Sequence, residues 1–118
     1  MSYVDGFVLA VPKDRLDEYR KITEVAGAVW MEYGALSYVE AVADDVPYGE
    51  LTSFPRAVMA KEDEVVIFSW ITYESREKRD EINEKVMKDE RMNAYSPTNM
   101  PFDGKRMIYG GFKSFIEA

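Results

Sequence analysis

Tyr3 to Val11 is a short run of apolar and β-branched residues closed by Pro12, the pattern of a strand buried on both faces. From Lys13 the period lengthens to near 3.6. Leu16, Tyr19, Ile22, Ala26, Val29, Trp30 and Tyr33 share one stripe, while Arg15, Asp17, Glu18, Lys21 and Glu24 fall elsewhere, which predicts a long amphipathic helix. Gly34 stops it as a left-handed C-cap, and Ala35 to Ala43 then alternates as a second strand. Residues 44–55 hold two prolines and a glycine and read as a loop. After the polar turn Lys61 to Glu64, Val65 to Tyr73 is the strongest strand signal in the chain. Ser75 is placed to cap a second helix running to about Glu90, with Ile82, Val86, Met87 and the stem of Arg79 as its buried stripe. Met92 to Asp103 reads as an irregular loop. Asp103-Gly104 predicts a tight turn into a last strand, Lys105 to Ile116, in which Gly110-Gly111 predicts a bulge or a close backbone approach.

The order is β-α-β-β-α-β, the ferredoxin-like α+β arrangement: one antiparallel sheet of four strands with both helices on one face. Residues 1–118 suit a single domain. Two helices cover only one face of such a sheet. Yet the third strand puts Val66, Phe68 and Trp70 on one side and Val65, Ile67, Ile71 and Tyr73 on the other, so both faces call for burial. A second copy packed sheet to sheet is the simplest cover, and a homodimer is the expected assembly.

Composition narrows the chemistry. The chain has neither cysteine nor histidine, which removes thiolate nucleophiles, disulfides, the commonest general base and the commonest transition-metal ligand. Any reaction falls to carboxylates, Lys, Arg, Tyr, Ser or Thr. A net charge of −7 makes nucleic acid an unlikely partner, because no basic surface is there to release counterions. No apolar stretch approaches the roughly 20 residues that cross a bilayer, and the first residues lack the pattern of a secretory signal. A cytoplasmic protein that is not membrane-bound is the resulting expectation.

Several segments carry more specific information. Tyr3-Val4-Asp5-Gly6-Phe7, Asp44-Asp45-Val46-Pro47, Thr52-Ser53-Phe54-Pro55, Phe68-Ser69-Trp70-Ile71 and the thirteen residues from Met100 to Phe112 together resemble the YbaA-like family of uncharacterised bacterial proteins. The resemblance covers nearly the whole chain. It implies a dimeric α+β barrel in which two ferredoxin-like sheets pack face to face, and no established activity. The wider barrel superfamily includes cofactor-independent oxygenases, isomerases, haem-degrading enzymes and ligand-sensing domains, so the fold leaves function open.

The candidate polar groups are few. Asp5 and Glu40 lie within predicted strands, where an inward carboxylate would have a raised pKa and act as proton acceptor; rim exposure or pairing with Arg56, Lys105 or Arg106 is the plainer alternative. Tyr38, Trp70 and Tyr109 are candidate walls of an apolar pocket, with Arg56 or Arg106 anchoring an anionic ligand; plain core or interface is again the alternative. Asp44, Asp45 and Glu50 lack the spacing of a cation-binding loop and read as solvated acids, so no metal site is expected. Asp103-Gly104-Lys105-Arg106 offers two cations beside a turn, but no Gly-rich loop leads into a helix, and no cofactor is expected.

Two functions remain: a small-molecule-binding protein or cofactor-independent enzyme with a pocket in each subunit, or a non-catalytic dimeric module acting in regulation or stress response. A cavity of several hundred Å³ holding an arginine and a carboxylate would favour the first, and a solid core between sheet and helices the second.

Overall fold

The computed structural model describes residues 2–94 and 99–118. Strand β1 (Tyr3–Pro12) leads through a 3₁₀ turn at Lys13–Arg15 into helix α1 (Leu16–Glu32). Strand β2 (Ser37–Val42), the short helix α2 (Phe54–Ala57), strand β3 (Glu64–Tyr73), helix α3 (Arg76–Lys88) and strand β4 (Ile108–Lys113) follow. The four strands form one antiparallel sheet in the order β2-β3-β1-β4, the ferredoxin-like topology.

Local chemistry sets most of the boundaries. Gly34 adopts φ +116°, which lets the amide of Ala35 reach the carbonyl of Trp30 at 3.1 Å and that of Gly34 the carbonyl of Met31 at 3.2 Å, closing α1 in a Schellman turn. Ser75 accepts from the amide of Lys78 at 3.1 Å and caps α3. Ser53 caps α2 in the same way, inside a segment the sequence pattern assigns to loop.

Two expectations are corrected. Lys13–Arg15 winds as 3₁₀ before α1 begins. The last strand is shorter than residues 105–116, since Arg106 turns back toward Asp103 and Glu64 instead of extending the ladder. Of the two alternatives for Gly110-Gly111, the bulge is the one not found, since Gly110 faces Gly6 and Gly111 faces Asp5 in unbroken register. Gly111 serves a close approach instead, because a Cβ there would collide with Arg79 Nη2 and the Tyr3 hydroxyl. Of the loop expected over Met92 to Asp103, residues 95–98 lie outside the described residues.

The two faces of the sheet differ sharply. On the helix side, Tyr3, Ile71 and Tyr73 pack with Val29 of α1 and with Ile82 and Val86 of α3, while Leu9, Val11 and Ile67 pack with Tyr19. Helix α2 and its flank cover one end of the opposite side, where Val58 meets Val8, Ala10 and Val66. The rest of that side is bare: Phe68 is 42% exposed, Ile108 46% and Phe112 65%. At its centre the glycine pair Gly6 and Gly110 leaves a shallow apolar recess of about 650 Å³ beside Trp70. Among the described residues, no helix is long and apolar enough to cross a membrane.

Candidate active site

A second cavity, about 150 Å³, lies between α1 and the helix-facing side of the sheet. Its position follows from two periodicities. On β2 the two-residue alternation turns Tyr38 and Glu40 to the same face, and antiparallel pairing sets Ser69 directly beside Glu40. On α1 the stripe Tyr19, Thr23, Ala26, Trp30 advances by four, three and four residues and overlies that pair. Gly27 lets the helix lie close, since a Cβ there would stand 2.9 Å from Cδ1 of Tyr38. Phe7, Phe102 and Met107 complete the apolar wall.

Glu40 is the polar centre of this chamber. The Tyr19 hydroxyl donates to Glu40 Oε1 at 2.7 Å and the Tyr38 hydroxyl to Oε2 at 2.9 Å, and Ser69 stands opposite Glu40 across the strand pair. Burial raises the carboxyl's pKa above its ordinary value, and the hydroxyls of Tyr19 and Tyr38 pull it partly back by favouring the ionised form. Burial and the neighbouring carboxylate push both phenols well above the usual tyrosine range. They therefore act as donors, and Glu40 as an acceptor with free lone pairs toward the cavity.

Trp30 forms one end of the chamber, tilted against Tyr38 with ring centres 5.9 Å apart, and its Nε1 donates to Asn83 Oδ1 at 3.0 Å. Beyond it lies a separate recess of about 300 Å³ lined by Asp5, Arg79, Asn83 and Tyr109. There Arg79 Nε stands 3.2 Å from Asp5 Oδ1, a charge pair without hydrogen-bond alignment. Arg79 Nη1 pairs with Asp80 at 2.8 Å, and Nη2 donates to the Tyr3 hydroxyl at 3.1 Å. Burial, then the charge of Asp5, raises the pKa of Tyr73 beside this pair.

The structure thus brings Tyr38 and Glu40 together in one chamber and Asp5 and Tyr109 together in the other recess, where Tyr109 stacks on Phe7 at 6.3 Å. Trp70 stands on the bare face, 5.5 Å from the ring of Phe68. Neither Arg56 nor Arg106 lines the chamber. Arg56 lies over the Tyr48 ring at 4.0 Å and donates to the carbonyls of Tyr48 and Gly49 at 3.0 Å, bracing the 44–55 loop. Arg106 makes a two-pronged bond to Glu64, at 2.8 and 2.7 Å, and donates to Asp103 at 3.1 Å. Asp44, Asp45 and Glu50 are exposed, and among the described residues no cluster of acidic side chains is arranged to hold a metal.

Tyr19, Trp30 and Ser69 are the members of the chamber that the sequence pattern ranks only as core or strand positions. The available signal was the pairing of a polar-tipped aromatic on the helix stripe with a carboxylate and a serine at inward strand positions. Arg79 likewise reads as a buried stem and emerges as a half-buried charge beside Asp5.

Comparison with known proteins agrees with this architecture. The model of the family described as "Protein of unknown function (DUF1428)" matches residues 2–104. The chain is 55% identical over 117 residues to the uncharacterized protein YbaA of Escherichia coli K12 and to that of Shigella flexneri, covering 99% of this chain and of each relative. Among solved structures, Rv0793 from Mycobacterium tuberculosis aligns with a TM-score of 0.61 at 13% identity, over 100% of this chain and 99% of that one. A putative antibiotic biosynthesis monooxygenase from Nitrosomonas europaea aligns with a TM-score of 0.60 at 10% identity, over 97% and 90%. At such identities the likeness concerns the ferredoxin-like fold alone. The chain belongs to the YbaA-like family of unknown function, DUF1428.

Proposed function

We propose that the protein binds a small molecule in the chamber between α1 and the sheet, with Glu40 as polar anchor and proton acceptor. The observation that carries this reading is Glu40 itself: a carboxylate at the wall of an apolar cavity, held by the hydroxyls of Tyr19 and Tyr38. Buried acids cost stability unless something uses or compensates them. A purely structural core would fill the space, whereas about 150 Å³ stays open, roughly the volume of an apolar cavity that takes up benzene. The chamber is smaller than a cavity of several hundred Å³, and no arginine lines it, so the reading is a compact ligand without an anionic anchor. The Nitrosomonas europaea neighbour, a putative antibiotic biosynthesis monooxygenase, is compatible with chemistry on a small molecule in such a site.

The test uses Trp30 as reporter. In a Trp70→Phe background Trp30 is the sole tryptophan, and benzyl alcohol should change its fluorescence saturably. Ala26→Phe, which fills the chamber from α1, should abolish that response while circular dichroism stays unchanged. An absent response, or one that survives Ala26→Phe, contradicts the reading.

The bare face supports a second element of the proposal, a homodimer. Val4, Val8, Phe68, Trp70, Ile108 and Phe112 form a continuous apolar surface around Gly6 and Gly110 that contains no charged side chain to anchor a ligand. A surface of that kind on a soluble domain is suited to association. Each subunit would then keep its own chamber on the side away from the partner.

A further inference from the structure

The charge balance of the chamber says what class of molecule it admits, on the premise that the chamber is the ligand site. Two neutral hydroxyls, those of Tyr19 and Tyr38, hold Glu40, and each favours its ionised form. Among the described residues no lysine or arginine lines the cavity, and none forms an ion pair with Glu40. Glu40 also borders an outer groove on the flank of α1 that Arg20 and Asp17 line; both of those side chains are exposed, and Arg20 forms no ion pair with Glu40. Each oxygen of the carboxylate accepts one hydroxyl and keeps further acceptor capacity, and its charge has no ion-pair partner.

An anion entering the chamber would meet that charge in a poorly solvated space and be repelled. A neutral molecule would gain a hydrogen bond but leave the charge unbalanced. A cation would balance it, and the remaining walls suit one. The rings of Phe7, Tyr19, Trp30 and Tyr38 surround the space, and aromatic faces attract organic cations. The cavity's volume limits the guest to about the size of a benzene ring with a short arm.

We propose that the chamber selects a small organic ammonium ion, a primary amine on an aromatic or branched-alkyl skeleton, with its N–H donors on Glu40 and its carbon skeleton among Trp30, Tyr38 and Phe7. The amine and the carboxylate then form the charge-assisted pair that this subunit's own side chains leave open.

Three near-isosteric probes test it: benzylammonium, benzyl alcohol and benzoate, titrated calorimetrically and by Trp30 fluorescence in the Trp70→Phe protein. Benzylammonium should bind about tenfold or more tighter than benzyl alcohol, and benzoate should not bind. Glu40→Gln should remove the amine's advantage and leave the alcohol's affinity within a few-fold. Should that variant not fold, acidifying the parent protein serves the same purpose, because protonating Glu40 should erase the preference while the amine stays charged. Equal or tighter binding of the alcohol, any binding of benzoate, or a preference that survives loss of the Glu40 charge overturns the inference. Alcohol bound without amine preference sinks the charge selection and leaves the pocket standing. Failure of all three probes removes both.

Discussion

At the scale of single residues, two carboxylates show how environment divides labour. Glu64 has a side chain only 4% exposed, and the hydrogen bonds of Arg106 hold its pKa down to about 2 from the usual 4.5. Its folded-state pKa lies below the unfolded value, so its contribution is present in full above about pH 4.5 and is lost as pH falls toward 2. Arg106→Ala should cost about 3 kcal/mol at neutral pH, the scale for stranding one member of a buried pair. Urea unfolding of both proteins should show that gap narrowing below pH 4.5, and ligand affinity in the chamber should not change. Glu40 is shifted the other way, upward by burial, with Tyr19 and Tyr38 opposing the shift. Tyr19→Phe removes one donor to the ionised form, so the Glu40 midpoint should move further up, as read by carboxyl carbon NMR. A midpoint that stays or falls would mean that the Tyr19 hydrogen bond at 2.7 Å does not favour the carboxylate.

At the scale of elements, the contacts that matter most are those that only glycine permits. Gly27 sits where α1 presses on Tyr38, and Gly111 where β4 admits Arg79 and Tyr3. Gly27→Ala gains helix propensity of about 1 kcal/mol but pushes on a packed ring, a conflict worth roughly 1–3 kcal/mol. The expected result is a modest loss of thermal stability together with altered Trp30 fluorescence, since Trp30 leans on the same ring. Gly111→Ala should lower stability by about 2 kcal/mol through the clash with buried groups. The elements were largely readable in the sequence because their signals are local: alternation in Val65 to Tyr73, the stripe from Leu16 to Tyr33, Gly34 and Ser75 at the helix ends. Half of the chamber was readable for the same reason, since alternation alone turns Tyr38 and Glu40 the same way. The rest depends on distance along the chain. Arg106 finds Glu64 42 residues away and Trp30 finds Asn83 53 away, pairings that no local pattern encodes. The glycine pair at 110 and 111 left a bulge and a close approach both open in the sequence, because the demand for space comes from Arg79 and Tyr3, which belong to other elements.

At the scale of the whole molecule, the sheet separates two kinds of apolar surface. Ile67, 2% exposed, faces the helices, and Phe68, 42% exposed, faces away. Ile67→Asp should therefore give an unfolded or insoluble chain, because a stranded buried charge costs a large share of the roughly 5–15 kcal/mol that holds a domain together. Phe68→Asp should leave a folded subunit and shift sedimentation toward monomer at micromolar concentration. A parent protein that sediments as monomer under those conditions would remove the dimer and leave the bare face to some other partner. The bare-face recess is larger than the chamber but is lined by no charged side chain, and for that reason the ligand is placed beside Glu40. Crystals soaked with bromobenzene test this choice most directly, since the bromine's anomalous signal reports where a small aromatic molecule goes. The account predicts a peak inside the chamber, between Trp30 and Glu40; an empty chamber with bromine only over Gly6 and Gly110, or with none at all, would contradict it.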